Sequence, residues 1–244
     1  ATLPLALVGM AISTAAFPRL AGLAAEADME ALREATSRLL RVILYLSIPA
    51  AVGLAVLREQ VVEVLLQRGA FTAADAHVTA AALGGYCLGI VPQAGIEIHS
   101  RAFYALGDTR TPVSLAVAAL LVNAVLSAIL WSPFGVSGLA FAVSAASWTE
   151  WVALYALAAR RLGSPVASEL AAVARMAIAA GAMGVFVAAV FGTSGGGAEA
   201  FVDAFLGAGA GALLYGGMTL LLRVDEASEF LERAAGLLRS RGAT

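Results

Sequence analysis

The sequence predicts an all-α fold, a polytopic bundle of transmembrane helices, and three observations support this prediction. Of the 244 residues, 61% are hydrophobic and only 13% are charged. The mean hydropathy of +0.88 is too high for the core of a water-soluble domain. Seven stretches are also long and apolar enough to cross a hydrocarbon layer of about 30 Å, which needs about 20 helical residues. Their lengths fit helices and not the shorter alternating strands of a membrane barrel.

The seven predicted spans are bounded by charged residues or by glycine and proline. They are Leu3 to Leu20, Leu39 to Leu57, His77 to Ser100, Val113 to Trp131, Val136 to Leu157, Leu170 to Gly192 and Ala200 to Leu222. When the connections alternate between the two sides, all arginines except Arg58 and Arg68 fall on one side. This positive-inside bias predicts that the arginine-rich side is cytoplasmic, with the N-terminus of the chain outside and the C-terminus inside.

The sequence also predicts the structure of shorter segments outside the spans. The apolar pattern of residues 59–67 predicts a short helix on the outer surface. Thr72 and Asp75 have the spacing of a capping box at the start of the third span. Residues 224–244 predict an amphipathic tail on the cytoplasmic surface. The chain begins at Ala1, directly before a span and without an initiator methionine, so we expect an upstream part of the protein to be missing.

Composition excludes several classes of function. A net charge of −2 excludes a polyanion-binding surface, so nucleic acid is not an expected partner. Lysine is absent, which excludes Schiff-base chemistry. Cys87 is the single cysteine, and no Cys/His cluster has the spacing of a zinc site, so we expect neither a disulfide nor a metal cofactor.

One short motif raises the alternative of an enzyme. The sequence Gly135-Val136-Ser137-Gly138 matches the G-x-S-G pattern of rhomboid intramembrane proteases. Those enzymes pair the serine with a histidine on a later helix, whereas His77 and His99 both precede Ser137. A nucleophile without its base lacks activation, so we expect no catalytic residues and no enzyme. A seven-helix receptor-like protein is a second remote alternative, because the span count and the direction of the first span fit it.

Glu150 is the most informative acid inside a span. Gly138, Ala142, Ala146 and Glu150 follow each other at intervals of four, which places the carboxylate on a face that packs inward. An ionisable group at that depth costs at least about 2.5 kcal/mol. Two interpretations stay open: a neutral or hydrogen-bonded structural glutamate, or a cavity residue that couples transport to protons or cations.

Other polar residues suggest contacts between or within helices. Glu97 precedes Arg101 by four residues, which favours an ion pair, with substrate contact as the alternative and His99 as a candidate proton acceptor beside them. Asn123 and Ser127 share one face of the fourth span, where hydrogen bonding between helices is the simpler interpretation and a weak cation site the sharper one.

Pro49 and Pro92 lie inside the second and third spans, where each removes a backbone hydrogen bond and predicts a helix kink. The third span also carries Gly84, Gly85, Gly89 and Gly95, which makes it the most breakable helix. Bent helices around a cavity are typical of carriers that work by alternating access.

The connection between the third and fourth spans carries a resemblance to a known family. Residues 100–112 read S-R-A-F-Y-A-L-G-D-T-R-T-P, and Gly84-Gly85-Tyr86-Cys87-Leu88-Gly89 precedes them. This connection resembles the R-x-F-Y-A-x-x-D-T-x-T-P loop of the MurJ (MviN) lipid II flippase family, within the MATE-like (MOP) exporter superfamily. Further motif matches extend the resemblance to about residue 161, and beyond it only the hydropathy is similar. The motif residues are Arg101, Phe103, Tyr104, Asp108, Thr109, Thr111 and Pro112.

The resemblance implies an architecture and a function. Family members have fourteen spans, so this chain would be the second half, and the missing seven N-terminal helices would be its partner. Residues 1–162 would form a five-helix lobe, residues 163–223 a terminal helix pair and residues 224–244 the tail. The implied function is translocation of lipid II, an undecaprenyl-pyrophosphate-linked peptidoglycan precursor, across the bacterial cytoplasmic (inner) membrane. Export of another polyprenyl-linked oligosaccharide, or MATE-type cation-coupled drug export, is the alternative.

The resemblance also suggests site residues. Arg101 and Arg110 would attract the pyrophosphate at the cytoplasmic mouth, while the second and third spans flex at their prolines. Ser13, Thr14 and Glu97 complete the expected substrate-binding set, and Glu150, Asn123 and Ser127 form the expected coupling or cavity set.

Other family features are altered or lie elsewhere. The main cavity arginines would lie upstream, and Ser127 and Val143 stand where a sodium site needs an acid and a hydroxyl. No cofactor is expected, although the membrane potential or a proton or cation gradient would drive transport. The last two spans would line a lateral groove for a polyprenyl tail, with Gly181, Gly184, Gly207 and Gly211 leaving shallow surfaces.

Overall fold

A computed structural model describes residues 17–66, 71–163, 166–192 and 198–228 of the chain, and it confirms the all-α fold. The helices are α1 (17–25), α2 (Met29–Val56), α3 (Arg58–Leu66), α4 (Ala73–Ala105), α5 (Arg110–Ala158), α6 (Val166–Phe191) and α7 (Ala198–Leu221). A π-helical turn at Ala159–Gly163 follows α5, and a last helical turn covers residues 225–228. Several predicted features lie outside the described residues, namely Ser13, Thr14, most of the first span, Arg68 and the tail beyond residue 228.

The helix α5 contains two of the predicted spans, because the chain reverses direction inside it. Gly135 has φ 56° and ψ −134°, which is not helical backbone. A straight helix of 49 residues would be about 73 Å long. However, Asp108 before α5 forms an ion pair of 2.5 Å with Arg161 after it. Residues 110–134 and 136–158 are therefore two antiparallel arms, the first and second arms of α5.

Five helices in the described part of the chain are long and apolar enough to cross a membrane. Since α5 supplies two arms, the described residues account for six of the seven predicted spans. Large apolar side chains on their outward faces are exposed, for example Val185, Leu213 and Leu221. Lipid, not water, is the natural neighbour of such faces.

The helix α4 packs closely on the second arm of α5 through its glycines. A Cβ atom at Gly95 would lie 2.1 Å from Nε1 of Trp151, and one at Gly89 would lie 2.8 Å from Oγ of Ser144. The Ser144 hydroxyl donates a hydrogen bond of 2.7 Å to the carbonyl of Gly85. These glycines therefore permit close approach between helices, which is the main source of attraction inside a bilayer.

Both helices that contain the predicted kinks run through their prolines without interruption. Pro49 lies within α2 and Pro92 within α4. Gly85, Gly89 and Gly95 of α4 lie at close contacts with the second arm of α5, and the interpretation of this span as the most breakable helix stays a prediction. Flexing at Pro49 and Pro92 during transport stays a prediction.

The helices α6 and α7 are attached to the other helices mainly through α2. Tyr215 of α7 donates a hydrogen bond of 3.0 Å to the backbone carbonyl of Tyr45 in α2, and the two rings are 5.2 Å apart. A Cβ atom at Gly184 of α6 would lie 2.7 Å from Val52. The division into a five-helix lobe and a terminal pair stays a prediction.

The short helix and the capping box predicted next to the third span are confirmed, while the place of that helix on the outer surface stays a prediction. The short helix is α3, although Gln60 and Val62 on it are buried, and Gln60 donates a hydrogen bond of 2.9 Å to the carbonyl of Phe191. Thr72 and Asp75 form both bonds of a capping box at the start of α4. This box satisfies backbone donors that the first helical turn would otherwise leave unpaired.

We expect Gly138→Ala to destabilise the protein by about 1–3 kcal/mol, because overpacking at a tight contact forces the backbone to shift. A Cβ atom there would lie 2.2 Å from the carbonyl oxygen of Leu130, on the opposite arm of α5. Thermal unfolding in detergent measures the change. Gly181→Ala is the matched control, because nothing lies within 4 Å of its added Cβ. Equal melting temperatures for the two variants would contradict the close contact between the arms.

Candidate functional site

The turn between α4 and α5 is built by the sequence Leu106-Gly107-Asp108. The amide of Asp108 donates to the carbonyl of Phe103 (2.9 Å), and the amide of Gly107 donates to the carbonyl of Tyr104 (3.0 Å). These are the two bonds of a Schellman motif, which needs a residue of positive φ after the helix. Gly107 supplies it, with φ 74°. The turn therefore delivers Asp108 directly to the start of α5.

The Asp108 carboxylate joins three helix ends. It accepts hydrogen bonds from the amide (3.0 Å) and the hydroxyl (2.7 Å) of Thr111 in the first turn of α5, and one from Arg161 beyond its last turn. The bonds from Thr111, followed by the Arg161 guanidinium, lower the pKa of Asp108 to about 2. The carboxylate is therefore ionised at neutral pH, and it closes the α5 hairpin.

The contacts of Asp108 with Thr111 and Arg161 are called the Asp108 clamp here. One aromatic and one apolar contact of neighbouring residues stabilise it. The Arg161 guanidinium lies over the Phe103 ring at 5.3 Å from its centroid, which is a cation–π contact. Phe103 is buried and packs with Leu154 and Ala158 of the second arm. Arg161 thus binds the same turn through both charge and ring contact.

The family-like motif therefore divides into two groups. Phe103, Asp108, Thr111 and Pro112 are engaged in the turn, and Pro112 is buried in the first turn of α5, where a missing amide proton is harmless. Among the remaining motif residues, Tyr104 and Thr109 are exposed, as is the neighbouring Arg110, while Arg101 pairs with Glu97. The substrate-binding role expected for Arg101, Arg110 and Glu97 stays a prediction.

The predicted ion pair between Glu97 and Arg101 is confirmed. The Nε of Arg101 donates to the Glu97 carboxylate at 2.9 Å, and a second guanidinium nitrogen contacts the same oxygen. His99 does not join them, because it points into the bundle, where its Nδ1 lies 2.8 Å from the Gly95 carbonyl. Positions 97 and 99 face opposite sides of a helix, so the proposed grouping of His99 with the pair is wrong.

The predicted coupling residues are not brought together with the turn. Ser127 donates a hydrogen bond of 3.2 Å to Asn123 within the first arm, so the two side chains meet on one face as their spacing predicts. A bond to another helix and a weak cation site both stay predictions. On the second arm Gly138, Ala142 and Ala146 are buried as expected, and Glu150 is half-buried. Nothing in the described residues groups three or more His, Cys, Asp or Glu side chains closely enough to hold a metal ion.

The sequence did not reveal a second polar cluster, which lies where α2, α4, α5 and α6 meet. The Tyr155 hydroxyl donates a hydrogen bond of 2.6 Å to the buried Glu169 carboxylate, and the His99 ring packs edge-on against Tyr155 at 5.5 Å. With Arg33 they line a cavity of about 20 Å³, enough for one water molecule. The Tyr155–Glu169 bond joins the start of α6 to the second arm of α5, and residues of α2 and α4 line the cavity beside it.

A large apolar groove runs between α2 and α7. Its volume is about 730 Å³, within the usual range for a ligand-sized cavity. It is lined by residues of α2, α3, α6 and α7, including Tyr45, Pro49, Gly53, Met183, Gly207, Gly211 and Tyr215. Of the four glycines predicted to shape such a groove, Gly207 and Gly211 line it, Gly184 is covered by Val52, and Gly181 is not among its lining residues.

Most described arginines gather at one end of the bundle, here called the arginine-rich end (Arg33, Arg101, Arg110, Arg161, Arg175 and Arg223). Arg33 donates a hydrogen bond of 3.1 Å to the carbonyl of Gly163, and Arg175 donates one of 3.3 Å to the carbonyl of Arg223. These bonds join the starts of α2 and α6 to the ends of α5 and α7. Arg58 begins α3, next to Gly84 of α4.

Comparison with known proteins identifies the family. The family model described as "Lipid II flippase MurJ" matches residues 1–203. The chain belongs to the MurJ lipid II flippase family. This is a family of transporters rather than enzymes, and with several apolar helices the chain is a multi-pass protein of the inner membrane.

Individual relatives agree with the MurJ family match. A probable lipid II flippase MurJ of Vibrio cholerae is 33% identical over 152 residues, which cover 62% of this chain and 29% of that protein. One of Thermotoga maritima is 27% identical over 234 residues, which cover 96% of this chain and 46% of that protein. A solved structure, "Lipid II flippase MurJ, inward closed conformation", has the same fold, with a TM-score of 0.74 at 23% identity over 91% of this chain and 45% of its own. The chain thus spans at most about half the length of these MurJ relatives.

The sequence contains a pattern that indicates some of the contacts of Asp108, although these contacts were not predicted above. Asp108 stands three residues before Thr111, a spacing typical of an N-terminal helix cap, and Arg161 ends the next span on the same predicted side. The spacing could have predicted the bonds from Thr111, and the shared side placed Arg161 near Asp108 without showing that the two pair. The meeting of His99, Tyr155 and Glu169 had no such signal, because it depends on how four helices pack.

We expect Asp108→Asn to lower the melting temperature at pH 7, because Arg161 and Thr111 lose their ionised partner. The pKa of Asp108 is about 2, below its ordinary value of 3.8, so its contribution is complete above about pH 4 and is lost as the pH falls towards 2. The difference in melting temperature between wild type and variant should shrink over the same range. Glu30→Gln, which removes an exposed ion pair with Arg33, is the control. A difference that stays constant from pH 5 to pH 2 would refute the clamp.

Proposed function

We propose that this chain forms part of a protein that moves lipid II from the inner to the outer leaflet of the bacterial cytoplasmic membrane by alternating access. The observation that carries the proposal is the MurJ family match over residues 1–203. The fold similarity to an inward closed MurJ structure supports it. The substrate is amphipathic: a polar, sugar-bearing diphosphate needs a hydrated path, while its polyprenyl tail can stay in an apolar environment.

We further propose that the apolar groove between α2 and α7 holds the polyprenyl tail. Its lining is almost entirely hydrocarbon, and Gly207 and Gly211 reduce its wall to backbone along α7. The exposed alanines Ala208 and Ala212 also line it. A flexible hydrocarbon chain needs such a slot and no specific polar contact there.

We propose that the arginine-rich end faces the cytoplasm. Helix ends that carry arginine are retained on the cytoplasmic side during insertion. The grouping of Arg33, Arg101, Arg161 and Arg175 at one end of the described bundle supports this orientation. It places the C-terminus of the chain inside and residue 1 outside.

Energy coupling is proposed to come from the membrane potential or from a proton or cation gradient, without a bound cofactor. Glu150 is the half-buried acid of the second arm that could respond to such a gradient. A carboxylate in that position changes its charge only when a proton or cation reaches it. The partner in this proposal is the N-terminal half of the same protein.

We expect the substitutions Ala208→Trp and Ala212→Trp to reduce lipid II translocation at least about tenfold, because each indole fills the groove that the tail would occupy. The variants are introduced into the native gene, and the fraction of lipid II exposed on the outer surface is measured with a membrane-impermeant reagent. Val185→Trp is the matched control, because Val185 is 73% exposed on α6 and outside the groove. Unchanged translocation in both groove variants, with normal protein levels, would exclude the tail site.

A further inference from the structure

The groove between α2 and α7 has a polar end. Tyr45 and Tyr215 line it, and the Tyr45 hydroxyl lies 3.3 Å from the hydroxyl of Thr219. The Thr219 hydroxyl in turn donates to the Tyr215 carbonyl at 2.9 Å. Leu220 and Ala227, at the end of α7 and in the turn after it, close the same end of the groove. The hydrocarbon lining therefore leads towards hydroxyl groups at the level where α7 leaves the bundle.

An arginine and a glutamate stand directly beyond this polar end. Arg41 lies one helical turn before Tyr45 on the same face of α2, and Glu226 precedes Ala227. The Nε atom of Arg41 is 3.2 Å from the Glu226 carboxylate. The Arg41 side chain is 29% exposed and that of Glu226 is 9% exposed. The pair is thus largely withdrawn from water and adjoins an apolar slot.

The ion pair is imperfect, which leaves Arg41 capable of binding a better acceptor. Although the Glu226 carboxylate is close, the buried Nε atom of Arg41 forms no aligned hydrogen bond with any described residue. A planar guanidinium is best satisfied by bidentate bonds to a carboxylate or a phosphate. A buried donor without an aligned acceptor is costly, so an anion that accepts it in good geometry gains binding energy.

The position of the pair fits the depth of a lipid phosphate. Arg41 lies near the arginine-rich boundary of the span predicted from Leu39 to Leu57, and Glu226 follows the end of α7 at Leu221. Both therefore lie near the membrane interface, where the phosphates of membrane lipids are found. A lipid with its tail in the groove would have its phosphate beside Arg41.

We propose that Arg41 binds the diphosphate of a polyprenyl-linked substrate whose tail occupies the groove, and that Glu226 is the competing anion that holds Arg41 when the groove is empty. This inference rests on the tail site proposed above. A single slot with one polar end matches a lipid that has one tail and one diphosphate. Exchange of Arg41 between Glu226 and the diphosphate keeps the guanidinium paired in both states. The Glu226 carboxylate loses its partner in the bound state, and the bidentate bonds to the diphosphate must outweigh this cost.

The proposal predicts opposite effects for the two members of the pair. Arg41→Gln should weaken binding of undecaprenyl diphosphate about tenfold or more, because charge-assisted hydrogen bonds to the phosphate are lost. Glu226→Gln should strengthen it, because the competing carboxylate is gone. A purely structural ion pair predicts weaker binding from both substitutions. Binding is measured on the full-length purified protein in nanodiscs by native mass spectrometry, with undecaprenyl diphosphate as the probe.

Three controls test whether the variants still fold and whether Arg41 prefers the diphosphate to an ordinary membrane lipid. The double variant Arg41→Gln/Glu226→Gln leaves no unpaired buried charge and should bind as weakly as Arg41→Gln. Arg38→Gln, on an exposed position of α2, should bind like wild type. Phosphatidylglycerol is the second probe, and a larger loss for it than for the diphosphate would assign Arg41 to ordinary membrane lipid and overturn the proposal.

The outcomes distinguish two claims: that Arg41 binds the diphosphate, here called the anchor, and that the groove holds the polyprenyl tail, here called the tail site. If Arg41→Gln binds undecaprenyl diphosphate as tightly as wild type while Ala208→Trp and Ala212→Trp lose binding, the tail site stands and the anchor is excluded. If Arg41→Gln weakens binding while the tryptophan variants bind normally, Arg41 contacts the diphosphate and the tail lies elsewhere. Weaker binding from Glu226→Gln would show that the pair is structural and would also overturn the proposal.

Discussion

The reversal of the chain within α5, closed by the Asp108 carboxylate, is the constraint on which the arrangement of this half-bundle depends. Asp108 holds the end of α4, the first turn of the first arm and the end of the second arm in one place. With these ends fixed, the second arm lies along α4 in a single register, in which Ser144 meets Gly85 and Trp151 meets Gly95. Because lipid offers no hydrophobic force between helices, this register depends on close contact and on a few hydrogen bonds.

A different kind of packing holds the terminal helices. The helices α6 and α7 rest on α2 through apolar side chains and the Tyr45–Tyr215 contact, while the Tyr155–Glu169 bond fastens the start of α6 to α5. The groove lies on this side of the bundle, whereas α4 and the second arm of α5 meet through close contacts at glycines.

Particular residues show which side-chain contacts could be predicted from the sequence. The spacing of Glu97 and Arg101, and of Thr72 and Asp75, predicted contacts that form, because a helix fixes which neighbours meet at three or four residues apart. The grouping of His99 with Glu97 failed because nearness in sequence is not nearness around a helix. The spacing of Asn123 and Ser127 likewise predicted that their side chains meet on one face, and their hydrogen bond forms within the first arm.

The sequence by itself determined the all-α membrane fold, the approximate places of the spans and the family, because hydropathy and a family-like loop are local properties of the chain. Only the tertiary structure decided what that loop does, since the partner of Asp108 is Arg161, fifty-three residues further along. The same holds for the meeting of Arg41 with Glu226 and for the groove beside them. Contacts between distant helices depend on the packing of the whole bundle, and no spacing within one helix encodes them.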